Sequence, residues 1–141
     1  MKEGSLHKEI AAIAKSMYDA ADVIEVNSID EKWRTASKIK NAANDSYFYV
    51  AQVVGAGENN ALEFDCINAR KHLNTLKSMY VFAAKQGMTE LDPELVVKIE
   101  KLVKEIDSVQ EAGEAKIKRK TEEELKPWLE KYRIWQKISK D

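Results

Sequence analysis

The stretch "NAANDSYFYVAQVV", residues 41–54, is rich in alanine and contains neither Gly nor Pro, which marks it as helix. It also sets Tyr47, Phe48 and Tyr49 side by side. Consecutive helical residues point about 100° apart, so three neighbouring rings sweep about 200° of the cylinder. One core accommodates one of them easily. With Tyr47 on the core stripe, Phe48 falls to one side and Tyr49 further round, and both need something else to touch.

Outward from this stretch the same 3.6-residue period runs along nearly the whole chain, and no strand-like alternation competes with it. A first helix carries Leu6, Ile10, Ile13, Met17, Ala20 and Ile24 on one face. "EVNS" interrupts it, and Ser28 with Glu31 makes an S-x-x-E capping box for the second helix. The second stripe reads Ile29, Trp33, Ala36, Ala43, Tyr47, Val50 and Val54. "GAGENN", residues 55–60, is a turn, and Asn60 with Glu63 offers the next N-cap.

A third helix carries Leu62, Cys66, Ala69, Leu73, Leu76, Tyr80 and Ala83 and ends near Gly87, a left-handed cap. "LDPEL" starts a fourth: Asp92 caps, Pro93 takes the first helical position and Glu94 favours the positive end of the dipole. Its stripe is Leu95, Ile99, Leu102, Ile106 and Val109, and it fades after "QEAGEAK". Thr121 with Glu124 repeats the capping pattern, and Pro127 predicts a kink or a fresh start. Leu125, Trp128, Leu129, Tyr132 and Trp135 then form a last amphipathic segment.

Long helices joined by short turns bury their stripes against one another. The expected fold is all-α: an up-down-up-down four-helix bundle over residues 1–115, followed by a short, basic, Trp-containing C-terminal helical extension over 116–141. A chain of 141 residues is one domain with room for a real core.

The formal charge of −1 provides no global field for nucleic acid or an anionic membrane. It is unevenly spread. Residues 115–141 carry nine Lys and Arg against five Asp and Glu, whereas the first 114 carry 14 against 19. A basic tail on a mildly acidic body points to an acidic partner or to a solvated last helix. The lone Cys66 excludes a disulfide framework, the N-terminal stretch lacks the apolar core of a signal peptide, and no apolar run spans a membrane. A cytoplasmic protein is expected.

Catalytic patterns are missing. His7 and His72 lack the Glu-x-x-His spacing of a di-iron bundle, and the glycines of "GAGENN" join two helices with no Lys-Ser/Thr after them. Cys66 falls on a core stripe, where a packing role is expected. Neither an enzyme nor a cofactor or metal site is anticipated.

What remains are surplus faces. Phe48, Tyr49, Phe64 and Phe82 lie outside the main stripes, and with Trp128 and Trp135 they are the candidate interface residues. A second copy or another protein can cover them, or the C-terminal extension can fold back over them; the intermolecular cover is preferred. Lys32, Arg34, Lys38 and Lys40 gather in the first half of the second helix, and a hairpin with the third brings Arg70, Lys71 and Lys77 near them, a candidate grip on phosphates. Lys40 projects close to the core stripe, so it must snorkel or find a carboxylate.

The segment "WRTASKIKNAANDSYFYVAQ" is similar to the second helix of small bacterial four-helix-bundle proteins encoded in intervening sequences of 23S ribosomal RNA genes. "ALEFDCINARKHLNTLKSMYVFAAKQGMTELDPELVVKIEKLVKEIDSV" resembles the third and fourth helices of that family and of its relative, the accessory variability determinant of diversity-generating retroelements. The likeness covers roughly residues 8–110, leaving the extension outside it. It implies a non-enzymatic homo-oligomer, a ring that is a pentamer in the accessory protein, engaging a reverse transcriptase and RNA or DNA. Carried over by charge, Lys32, Arg34, Lys38, Lys40, Arg70, Lys71 and Lys77 become the nucleic-acid contacts. The alternative is a protein-only interaction module that presents an aromatic groove to a partner helix.

Overall fold

The computed structural model describes residues 3–26, 32–57 and 61–140, with side chains for all of these except 3, 4, 32, 33 and 140. Four helices follow in order: α1 (Glu3–Val26), α2 (Lys32–Ala56), α3 (Leu62–Lys85) and α4 (Pro93–Lys140). Sequence neighbours pack as α1 on α2, α2 on α3 and α3 on α4, and α4 closes back on α1. The architecture is the expected four-helix bundle, with no strand among the described residues.

One core holds it together. The α3 stripe is buried residue for residue as the period predicts, from Leu62 through Cys66, Ala69, Leu73, Leu76 and Tyr80 to Ala83. It meets Leu6, Ile10, Ile13, Met17 and Ile24 of α1, and Leu95, Ile99, Leu102 and Ile106 of α4. Ala21 is buried in α1, whereas Ala20 is only half-buried. Val109 likewise packs at the margin of the core.

On α2 the buried face is Ala36, Ile39, Ala42, Ala43, Ser46, Val50 and Val53. The core therefore centres one position away from the expected stripe, and Tyr47 and Val54 sit at its margins. Two polar atoms explain why Tyr47 stays out: its hydroxyl lies 3.0 Å from His7 Nε2, a bond that needs the ring at the α1–α2 edge. Ser46 is the buried polar exception, and its Oγ has no hydrogen-bond partner among the described residues.

The α3–α4 connection is closed by side chains. Tyr80 buries its ring, donates its hydroxyl to the Glu90 carbonyl at 3.3 Å and accepts the Asp92 N–H at 2.8 Å. Asp92 caps α4, its Oδ1 accepting the Glu94 N–H at 3.0 Å, and Gly87 takes the left-handed conformation at φ 73°. α3 begins after Ala61, which makes no side-chain cap. The Ser28–Glu31 capping box, Ile29 and Asn60 lie outside the described residues, as do the side chains of Lys32 and Trp33.

α4 departs most from expectation. It runs without interruption for 48 residues, through Pro127, so the extension is the upper half of one helix and not a fresh segment. At 1.5 Å per residue that is roughly 72 Å, about twice the reach of its neighbours. Gly113 is its last buried residue, and from Lys118 to Ser139 every residue is exposed. A Cβ at Gly113 would stand 2.0 Å from Leu62 Cδ2, so a side chain here would have to displace that methyl group from its place at the first turn of α3.

Candidate functional site

The three rings of α2 part company. Tyr47 turns toward α1 and meets His7 edge-on at 5.3 Å between ring centroids. Tyr49 turns toward α3 and stacks on His72 at 4.4 Å with the planes 5° apart, which leaves it half-buried. Phe48, between them, points away from the bundle, 56% exposed and edge-on to Tyr49. Both histidines are thus occupied by aromatic contacts, and no cluster of three or more His, Cys, Asp or Glu among the described residues is placed to hold a metal ion.

Of the six candidate interface residues, Phe48, Phe64, Phe82, Trp128 and Trp135 are each more than half exposed, and Tyr49 is not. The arm of α4 does not fold back over the others. Phe64 and Phe82 share the outer face of α3 but stand 18 residues apart, roughly 27 Å along the helix. They form separate patches.

The arm itself is denser. Leu125, Trp128, Leu129, Tyr132 and Trp135 recur at three- and four-residue steps, and each is more than half exposed, Trp128 at 68% and Trp135 at 61%. Tyr132 and Trp135 stack at 6.2 Å, and Lys131 Nζ lies 5.2 Å from the centroid of the Trp128 ring. At 100° per residue this seam lies roughly 90° round α4 from the face that Leu95–Gly113 bury, and in line with the flank that carries Glu100, Asp107 and Gln110. Lower down, that flank is held against α3.

The candidate phosphate grip divides over several faces. Lys40 turns to α1 and bridges Asp22 and Glu25, each at 2.9 Å; its hydrogen bonds to those carboxylates hold its ammonium well above the usual lysine range. Arg70 turns to α4, pairing with Asp107 at 2.9 Å and donating to Gln110. Lys77 faces Glu100 at 3.7 Å on the same side. Arg34, Lys38 and Lys71 are exposed, and the Lys32 side chain lies outside the described residues. The sequence hairpin brings these positions to one end but cannot show that α1 and α4 supply carboxylates to three of them.

Phe82 stands among three lysines, of which Lys38 alone comes from the unpaired candidates. It lines a groove with Thr35, Lys38, Ser78 and Met79, and a second one with Lys77, Val81 and Lys85.

No family model, curated protein or solved structure matches this chain. The geometry therefore carries the functional reading.

At the root of the arm lies an open cavity of about 460 Å³, lined by Leu6, Val53, Val54 and Gly57 on one side and by Glu105, Val109, Gly113 and Lys116 of α4 on the other. Glu105 and Glu9 of α1 face each other beside it. Each has a buried Oε2 without another partner, and burial together with the Glu9 carboxylate pushes Glu105 up to about 7. A proton on one carboxyl turns their repulsion into a hydrogen bond. Sequence reasoning missed this pair, because Glu9 and Glu105 look like solvated helix faces until α1 is set beside α4. Cys66 is buried in the core, and burial pushes its thiol up to about 11, far from the reactive range. No helix among the described residues is long and apolar enough to cross a membrane.

Proposed function

We propose that this chain is a non-enzymatic helical adaptor that acts by protein association, with the bundle as scaffold and the arm of α4 as the element that engages. The observation that carries this reading is the seam of Leu125, Trp128, Leu129, Tyr132 and Trp135, held on a helical arm that no other described part of the chain covers. A helix of this length standing free in water is marginal, and an interior proline costs it about 3 kcal/mol more. Covering two tryptophans and a tyrosine supplies that deficit, since each large side chain contributes about 1.5–3 kcal/mol on burial. The test is removal of residues 117–141. The shortened chain folds as the bundle but sediments as a monomer and retains no partner. Undiminished association of the shortened chain rejects the reading.

A second reading keeps nucleic acid as partner, and Phe82 supports it. An exposed aromatic flanked by Lys38, Lys77 and Lys85 has the make-up of a surface that stacks a base and holds its phosphates. The family resemblance adds a reverse transcriptase as the protein to test first and a homo-oligomeric ring as the assembly. Fluorescence anisotropy with single-stranded RNA and DNA at low salt decides. K38E with K85E weakens binding about tenfold if this face is used, and absent or salt-independent binding rejects it.

A further inference from the structure

The adaptor reading leaves open what lies along the arm, and the charges flanking the seam identify it. We infer that the arms of two copies of this chain pair antiparallel about the point between residues 127 and 128, seam to seam. The seam with its approach, Thr121 to Trp135, is centred within one residue of that point. Pairing about it seats Trp128 of each copy between Leu125 and Leu129 of the other, and Tyr132 between Leu125 and Thr121.

The flanks then fall into register by themselves. Glu124 and Lys131 lie on one side of the seam, roughly 65–85° from its centre, and Glu122 and Arg133 lie on the other, roughly 95–115° away. In the antiparallel register Glu124 comes opposite Lys131 of the other copy, and Glu122 opposite Arg133. The two-fold axis repeats each pairing, so four complementary contacts arise from four residues. A parallel pairing of the same seam sets Glu124 against Leu129 and Lys131 against Gln136, with no opposite charges in contact. The sequence pattern therefore selects both the partner and its direction.

Three further features agree. The five seam side chains expose roughly 700 Å² per copy, close to the 800 Å² or so that each partner contributes to a standard specific interface. Pro127 lies roughly 125° from the seam, so the Glu123 carbonyl that it deprives of a donor faces water and not the partner. The C-terminal end of each arm, beyond Lys137, arrives above the first turn of α3 of the other copy, where Glu63 and Asp65 stand, and the helix dipoles align head to tail.

The inference rests on the adaptor reading but fails separately from it. The full chain is made in two charge variants, E122R with E124K, and K131E with R133E. Each alone carries like charges on both flanks and is expected to dissociate at least tenfold more readily than the parent dimer in sedimentation equilibrium. Mixed, they are expected to form a one-to-one heterodimer at parent affinity, because every flanking contact is again complementary. W128E is expected to abolish both dimers while leaving the circular dichroism of the bundle intact, since the arm contributes nothing to the core. A parent chain that is monomeric at 100 μM overturns the inference, as does a mixture that gains no heterodimer. A dimer that survives W128E, or an arm that binds only an unrelated helix, also overturns it; in the last case the adaptor reading stands.

Discussion

The two halves of α4 are one helix with opposite fates. From Pro93 to Gly113 it seals Leu95, Ile99, Leu102 and Ile106 against α1 and α3. From Lys118 to Ser139 an apolar face just as regular, and richer in aromatics, meets water along its length. Backbone continuity therefore says nothing about where a folding unit ends. The lower half is held by its neighbours, whereas the upper half owes its shape to local hydrogen bonds alone and carries a proline among them.

Matched truncations give the sharpest contrast. Leu102→Ala in the lower half removes a fully buried side chain and is expected to cost about 2–5 kcal/mol of unfolding free energy in urea. Leu125→Ala in the upper half, measured where the chain is monomeric, is expected to stay within about 0.5 kcal/mol. Equal effects would mean that the arm belongs to the core after all.

At the junction, Gly113→Ala forces a methyl group into Leu62, and the expected cost is about 1–3 kcal/mol by thermal or urea unfolding. The ordinary helix-propensity gain of Gly→Ala would work the other way, by about 1 kcal/mol. A net stabilisation would show that the two helices separate easily at this point and that the arm is loosely hung.

The smallest effect concerns protons. Glu105 holds its proton in the folded chain up to about pH 7, whereas the unfolded carboxyl releases it near the ordinary value of about 4.5. Between those limits the folded state binds more protons than the unfolded one, so the stability from this pair is complete below about pH 4.5 and is lost as pH rises through 7. Glu105→Gln is expected to remove that slope, and at pH 8 to exceed the parent by roughly 1 kcal/mol, a figure kept low because the pair is only half-buried. Parallel urea titrations at pH 4.5 and pH 8 check it.

Much of the scaffold was legible in the sequence. The α3 stripe, the Asp92 cap and the Gly87 terminus each follow from a local rule, and local rules survive folding when neighbouring helices ask nothing different. Lys40 was legible as a problem, and the structure answers it with Asp22 and Glu25. The α2 face was not, since periodicity fixes the width of a stripe better than its centre, and Tyr47 is drawn to the edge by His7. The pairing of Arg70 with Asp107 was hidden because it depends on the α3–α4 register, which no single helix encodes. Pro127 misled for a further reason: a proline at an exposed position loses only one carbonyl to water, so the helix passes through it.

The glycine at position 113 has a consequence beyond packing. Past it, an unsupported rod of roughly 40 Å continues, so any angular error at that pivot is magnified at the far end; a swing of roughly 10° moves the tip about 7 Å. By leaving room for the Leu62 side chain, the absence of a single methyl group at this pivot helps to aim the whole lever.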